Sequence, residues 1–322
     1  MATRTIGSTG SATETRPTHR GGGPSVLQRL WRDRWMYVFF LPGVLYFLVF
    51  IYLPLLGNVI AFKDYSPFLG FQGSPWVGLE NFRRLFTDPD FATALTNTLQ
   101  IEALQLLFAF PAPLALALLL NSIMSDRIKR TVQSIVYLPH FLSWVIVISL
   151  WQQVFGGDGF LNQFLRNQGL DTVNIMGNPD IFKPLVVLQM IWKEAGWGTI
   201  LFLAALTKID VSLYEAAVID GAGGWRRMRD VTLPGIRPVI VLLLILHLGF
   251  ALSVGFEQYY LQRNAVGPGA AEVLDTFVYF RGIQGGDWGF ATAVGMVRGV
   301  VGAILIFVAN WAAKRLGEEG IF

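Results

Sequence analysis

The chain has 322 residues, of which 53% are hydrophobic and only 15% charged, and its mean hydropathy is +0.49. Soluble globular chains carry about 25% charged residues, so this composition belongs in a bilayer. The absence of cysteine excludes disulfides, thiolate metal sites and cysteine nucleophiles. A net charge of +3 does not point to nucleic acid, because Lys and Arg sit between apolar stretches rather than among aromatics on one soluble face.

Residues 1–35 are rich in Thr, Ser, Gly and Arg without apolar periodicity, which predicts a disordered basic tail. The apolar run 36–56 follows a longer leader than a secretory signal has and shows no small-residue cleavage site, so it is expected to remain as a first membrane helix. The stretch 57–92 reads as an extracytoplasmic loop. Within it Leu79, Phe82, Leu85 and Phe86 fit one face of a helix lying at the interface. Five further apolar stretches follow at 93–120, 134–155, 184–206, 238–259 and 290–313. Each exceeds the about 20 residues that a helix needs to cross a bilayer. Helices are favoured because each satisfies its own backbone in lipid, whereas barrel strands would alternate with period two. The fold class predicted is an all-α membrane protein of six transmembrane helices. Pro111 and Pro113 predict a kink in the second, Pro42 and Pro54 adjust the first, and 160–166 predicts a short helix in the loop 156–183.

Orientation follows from the basic residues. The tail carries Arg4, Arg16, Arg20, Arg29, Arg32 and Arg34, and alternate loops carry Arg127, Lys129, Arg130, Lys208, Arg226, Arg227, Arg229 and Arg237, with Lys314 and Arg315 at the end. The opposite side holds Lys63, Arg83, Arg84, Arg166, Lys183, Arg263 and Arg281. Both termini, including 314–322, are therefore expected in the cytoplasm.

The cytoplasmic loop 207–237 carries the most specific signal. Ser212 followed by Glu215 reads as a capping box opening a short helix, which Gly221, Gly223 and Gly224 end in a turn. A second, basic helix from Trp225 to Val231 is expected to stop before Pro234. Glu215-Ala216-Ala217, Gly221, Val231 and Leu233-Pro234 resemble the EAA loop of permease subunits in binding-protein-dependent ATP-binding-cassette importers of the type I fold. Val231 stands where isoleucine is usual. Residues 60–65, 76–82 and 314–322 are similar to the carbohydrate branch, most of all to permeases for polysaccharide and aldouronate oligosaccharides. The resemblance implies two nucleotide-binding subunits, a second and related permease, an extracytoplasmic solute-binding protein and a cell-membrane setting. It assigns ATPase coupling to Tyr214, Glu215, Ala216, Ala217, Asp220, Gly221, Ala222, Leu233 and Pro234. ATP and Mg would be bound by the partners and no cofactor by this chain, which has no P-loop and no metalloprotease or nucleophile-elbow motif. It is not expected to be an enzyme.

Ionisable groups inside spans are costly and so are functional candidates. Here they are Glu102, His140, Lys193, Glu194, His247, Glu257 and Arg298. Sugar recognition needs hydrogen-bonding groups beside an aromatic surface, and Trp192, Lys193, Glu194 and Trp197, with Glu257, Gln258 and Tyr259, supply both. Trp144, Trp151, Gln152 and Gln153 could contribute similarly. The competing explanations are interfacial aromatic belts for the Trp and Tyr residues, satisfied bundle side chains for His140 and His247, and helix packing for Arg298. A secondary transporter would show matching broken repeats, and none is visible. A non-cycling scaffold or channel predicts no dependence on an ATPase. Import of a peptide or glycerophosphodiester by the same machinery stays open at this level.

Overall fold

The computed structural model describes residues 31–321 apart from Arg32 and Glu319. The expected disorder of the basic tail falls almost wholly outside the described residues. Two units, Met1–Gly57 and Asn58–Phe322, divide the chain. All regular structure among the described residues is helical, with one isolated bridge between Lys63 and Trp76.

The first helical run, α1, spans Arg34–Phe62. Over residues 34–56 nearly all of its apolar side chains are exposed, Phe39 at 83% and Phe50 at 67% among them, as expected of a surface made for lipid rather than water. After a short helix α2 (Glu80–Arg84), α3 spans Pro89–Ser122. Next, α4 (Asp126–Phe141) meets a helical arm, α5 (Trp144–Asn167), at a 106° bend. Then come α6 (Phe182–Leu206), α7 (Val211–Ile219), α8 (Gly224–Gly249), α9 (Glu257–Val266), a helical stretch α10 at 274–284, and α11 (Trp288–Arg315).

Four described helices, α1, α3, α8 and α11, are long and apolar enough to cross a membrane, or five if the bent pair α4–α5 counts as one span. The sequence predicts six. The remaining candidate, α6, has 25 residues but carries Lys193 and Glu194 at its middle, which lowers its hydropathy. The expected span 134–155 is instead two pieces, turning at Leu142 and Ser143, and Ser143 caps the second piece by accepting from the Ile146 amide. The expected span 238–259 ends at Gly249, so Glu257, Gln258 and Tyr259 open a separate helix.

Proline explains several departures from simple α-helix. A π-turn at Leu48–Tyr52 precedes Pro54, one at Gln105–Ala109 precedes Pro111, and one at Met228–Thr232 precedes Pro234. Proline lacks an amide hydrogen and its ring collides with the carbonyl four residues back. Widening the preceding turn by one residue moves that carbonyl aside, and the helix resumes. The second helix of the 207–237 loop therefore does not stop before Pro234. It runs on through the π-turn as α8.

Helix α6 is the axis of the larger unit. In lipid, apolar burial drives little association, so close backbone approach and interhelical hydrogen bonds carry the packing. A β-carbon on Gly196 would lie 1.9 Å from the Val136 carbonyl oxygen, so only glycine lets α6 touch α4 there. Phe202, Ala205 and Leu206 pack against Ala117 of α3 and Ile236 of α8. At the other end, Phe182, Val186 and Val187 join Ile101, Tyr259 and Val266. Three buried amides lock this end: Gln258 Nε2 and Gln262 Nε2 donate to Gln189 Oε1 at 2.9 and 3.0 Å, and Gln189 Nε2 donates to Gln262 Oε1 at 3.1 Å.

The apolar residues expected on one face at 78–86 divide between the surface and the interior. Leu79 and Phe86 are exposed at 60% and 90%, while Leu85 and Asn81 are buried. Asn81 Nδ2 donates to the carbonyls of Ala61 and Lys63, and its neighbour Arg84 forks onto Asp287, with Nη2–Oδ2 at 2.5 Å. Inward polar anchors, together with Leu85 and Phe82 packed into the apolar core, hold α2. The Asp287 bond also holds the Arg84 guanidinium above its ordinary range. Helix 160–166 stands as expected, at Phe160–Asn167 within the α5 arm.

Candidate coupling loop and transport cavity

The loop 207–237 folds as two helices joined by a fixed turn. Asp210, not Ser212, caps α7, its carboxylate accepting from the Ser212 amide at 2.9 Å. Bonds from Ser212, the backbone one first, hold the Asp210 carboxylate below its ordinary range. The helix thus opens earlier than the capping-box reading has it. Its end is a Schellman turn: Ala222 N donates to Ala217 O at 2.8 Å, and Gly221 N to Val218 O at 3.0 Å. Gly221 has φ +74°, a left-handed conformation that glycine adopts without strain.

The two arms are tied by the Tyr214 hydroxyl, 3.0 Å from Thr232 Oγ1. Between them lies a cleft of about 290 Å³, lined by Leu213, Ala216, Ala217, Asp220, Ala222, Arg226, Asp230 and Val231. Pattern residues distant in sequence are thereby brought together. Glu215 is exposed, Pro234 lies at the start of the resumed helix, and Leu233 is half-buried at its root. The outer surface is apolar: Val211, Leu213, Val218, Ile219 and Trp225 are exposed, Ile219 at 85%. Among the described residues nothing covers this patch, which has the character of an interaction surface. Arg226 pairs with Asp230 at 3.5 Å on its rim.

The second feature is a cavity of about 520 Å³ between α3, α6 and α8. Met190, Glu194, Trp197 and Leu201 line it from α6, Phe110 from α3, and His247 and Phe250 from the α8 end. The α6 residues recur at three- and four-residue steps and so share one helical face. Trp192 lies two residues from Glu194, on nearly the opposite side of α6, and meets Trp151 edge-on at 6.4 Å. Trp192 does not line the cavity.

At the cavity wall, His140 Nδ1 is 2.7 Å from Glu194 Oε2, and its ring stacks on Trp197 with centroids 4.4 Å apart. Lys193 is buried. Its Nζ donates to the His140 carbonyl at 2.8 Å, lies 3.0 Å from Glu194 Oε1 and sits over the Trp144 ring. Lys193 thus pins the 106° bend to α6, while Glu194 and Trp197 face the cavity. His140 is satisfied, as expected, but by cavity groups. Opposite, His247 Nε2 and Glu102 Oε1 are 3.1 Å apart, at ion-pair distance without the angle of a hydrogen bond.

The structure separates Glu257, Gln258 and Tyr259 from this cavity. Gln258 and Tyr259 are sealed in the packed end of α6, where Tyr259 is fully buried with its hydroxyl 3.3 Å from Gln105 Nε2, and Glu257 is exposed. Arg298 is held by Asp275 at 2.6 Å, which makes its contact an ion pair between helices α11 and α10. Sequence reading misses Met190, Phe110 and Phe250 as lining residues. The four-residue step from Met190 to Glu194 is the available signal.

Residues 109–318 match the family described as the binding-protein-dependent transport system inner membrane component. The chain belongs to that family. The permease is 50% identical to the protein LplB of Bacillus subtilis (strain 168), over 94% of this chain and 95% of LplB. It is 49% identical to the polygalacturonan/rhamnogalacturonan transport system permease protein YteP of the same organism, over 92% and 93% of the two chains. Among solved structures, a bacterial alginate transporter in complex with an alginate pentasaccharide-bound periplasmic protein includes a chain 38% identical to the permease. The match covers 92% of this chain and 99% of that one, with a TM-score of 0.84. These similarities place the permease in the carbohydrate branch of type I importers and make it a multi-pass membrane protein.

Proposed function

We propose that the permease forms half of a translocation path for a sugar or oligosaccharide handed over by an extracytoplasmic binding protein. Two ATP-binding subunits drive it through the loop 207–237. The observation that carries this reading is the α7–α8 elbow. It is rigid at Gly221, tied by Tyr214 and Thr232, apolar on its outer face, and continuous with a membrane helix. A push on α7 is transmitted along α8 to His247 and Phe250 at the cavity. Switching between outward and inward access by rigid-body movement of packed helices needs such a lever.

The reading extends to six spans with both termini in the cytoplasm. In it α6 and the bent α4–α5 pair cross the bilayer inside the assembly, where their polar groups are shielded from lipid. The second permease is a related chain that closes the other half of the path. ATP and Mg belong to the partner ATPases, and this chain binds no cofactor. Polysaccharide-importing relatives support the choice of a saccharide over a peptide or glycerophosphodiester.

Affinity purification of the tagged permease from its native membrane in mild detergent, followed by mass spectrometry, tests this. Recovery of a P-loop ATPase, a second EAA-loop protein and a solute-binding protein is the expected result. A preparation free of ATPase that still transports after reconstitution would overturn it. The chain has no cysteine, so single cysteines introduced at Ser212 and Thr93 report topology directly. Impermeant thiol reagents should label the second and not the first in intact cells stripped of any outer membrane.

A further inference from the structure

Residues 316–321 follow α11, and the proposed transport cycle leaves them without a part. They fold back on the helix rather than leaving it. Glu318 N donates to Ala313 O and Gly317 N to Lys314 O, both at 3.1 Å, a Schellman turn with Gly317 at φ +82°. Beyond the turn, Ile321 N donates to Oδ1 of the buried Asn310 at 2.6 Å. A β-carbon on Gly320 would collide with that same oxygen, so the close return along α11 needs glycine there.

The fold-back carries Glu318 to α8. Its Oε1 lies 2.9 Å from Arg237 Nε, with the Glu318 side chain only 11% exposed and that of Arg237 52%. Arg237 stands three residues beyond Pro234, at the root of the helix that continues the coupling loop. Such a half-exposed pair adds little to stability, and its importance lies in its position. The same two helices also touch at the far end of α8. A β-carbon on Gly302 would lie 2.6 Å from the Gly249 carbonyl oxygen, and one on Gly249 would lie 2.6 Å from Ile306 Cδ1.

Positions 237 and 249 are separated by about 18 Å of helix at about 1.5 Å per residue. A helix held at one point can pivot, whereas a helix held at two moves only with its partner or after one contact opens. A push from α7 on α8 alone would swing the Arg237 end about the Gly249–Gly302 contact. The Arg237–Glu318 pair opposes that swing, so α11 is carried along. Farther up α11, Arg298 holds Asp275 Oδ1 at 2.6 Å, and Asp275 Oδ2 accepts from Gly255 N at 3.2 Å. Movement of α11 thereby reaches the segment that follows α8 by a second route. We infer that Arg237 and Glu318 are positioning residues for transport, a strut that makes α8 and α11 one moving body. The inference rests on the proposed coupling role of the loop 207–237 and adds a second helix to the lever.

The test uses the purified importer complex in proteoliposomes, with uptake and ATP hydrolysis measured together. Glu318→Gln and Arg237→Gln should each lower uptake per ATP hydrolysed severalfold at an unchanged melting temperature. Gly320→Ala displaces the fold-back without touching either charge and should do the same. The swapped pair, Arg237→Glu with Glu318→Arg, should restore the ratio, which a loss of packing would not allow. A loss in Arg237→Gln but not in Glu318→Gln would give Arg237 to lipid or to the ATPase and overturn the strut, as would wild-type ratios in all three variants. The chain has no cysteine, so Arg237→Cys and Glu318→Cys can be joined by a short bis-methanethiosulfonate crosslinker. The joined complex should keep the ratio of wild type treated alike. Uptake that stops on joining and returns with reductant would show that the contact opens in every cycle, which overturns the inference. Tyr214→Phe separates the two failures. If it uncouples while Glu318→Gln does not, only the strut falls, and if neither uncouples, the lever itself falls.

Discussion

The Tyr214 hydroxyl lies 3.0 Å from Thr232 Oγ1, and the bond joins the free arm of the coupling loop to the π-turn at the root of α8. Thr232 is buried and Tyr214 half-buried, so water competes poorly for either group. Tyr214→Phe removes the bond and keeps the ring. The expected cost is about 1 kcal/mol, too little to unfold the permease. It is enough to let α7 move without carrying α8. Uptake per ATP hydrolysed should fall severalfold in proteoliposomes. An unchanged ratio would show that the arms are held by packing alone.

Gly221 can be tested apart from steric crowding, because no heavy atom lies within 4 Å of the position a β-carbon would take. The only penalty for a side chain is the left-handed backbone at φ +74°. That is worth about 1–2 kcal/mol for an ordinary residue and less for asparagine. Uptake should therefore rank Gly221 above Gly221→Asn, then Gly221→Ala, then Gly221→Val. Assembly with the ATPase, read by co-purification, should survive in the first two variants. If Gly221→Ala transported better than Gly221→Asn, turn geometry would not be the controlling quantity.

The coupling loop is legible in the sequence because its pattern is local. The spacing from Glu215 through Gly221 to Pro234 lies within one loop, and a left-handed glycine after a short helix leaves a clear mark. Pro234 itself misleads, because proline normally ends a helix and nothing local announces a π-turn that absorbs it. Glu194 and Trp197 are visible because charge and indole inside an apolar run stand out. Gln258 and Tyr259 stand out for the same reason, yet their partners Gln189 and Gln105 come from helices about 70 and 150 residues earlier. Their burial is a tertiary fact. The bend at Ser143 is hidden because 134–155 is predominantly apolar, and hydropathy does not register direction.

The faces of α6 give a paired prediction. Trp197 lines the cavity and stacks on His140, whereas Trp192, 41% exposed, faces away toward Trp151. Trp197→Ala should reduce saccharide uptake at least roughly tenfold, in line with the loss of an aromatic contact worth about 0.5–1.5 kcal/mol beyond its area burial. Trp192→Ala should reduce it less than twofold. Radiolabelled or fluorescent sugar uptake at matched membrane expression distinguishes the two. Equal losses would mean that Trp192 also meets the solute, or that α6 turns during the cycle.

Pro234 permits the sharpest test of the lever. The π-turn at Met228–Thr232 carries one residue more than an α-helical turn would, and each residue advances a helix by about 100°. If proline holds that turn open, Pro234→Ala lets the helix relax to regular α geometry and rotates the α7 arm about the α8 axis. Stability should change little, because an amide donor is gained and a ring collision is lost. Coupling should change greatly, because the apolar face formed by Leu213, Val218 and Ile219 would point away from its partner. The expected outcome is a complex with near wild-type melting temperature, weakened ATPase retention and uptake reduced at least roughly tenfold. Spin labels on cysteines introduced at Ser212 and Leu246 would report the rotation as a changed distance. Unaltered distance with lost uptake would assign Pro234 a contact role. Unaltered uptake would show that the tie between Tyr214 and Thr232 keeps the π-turn in place without proline.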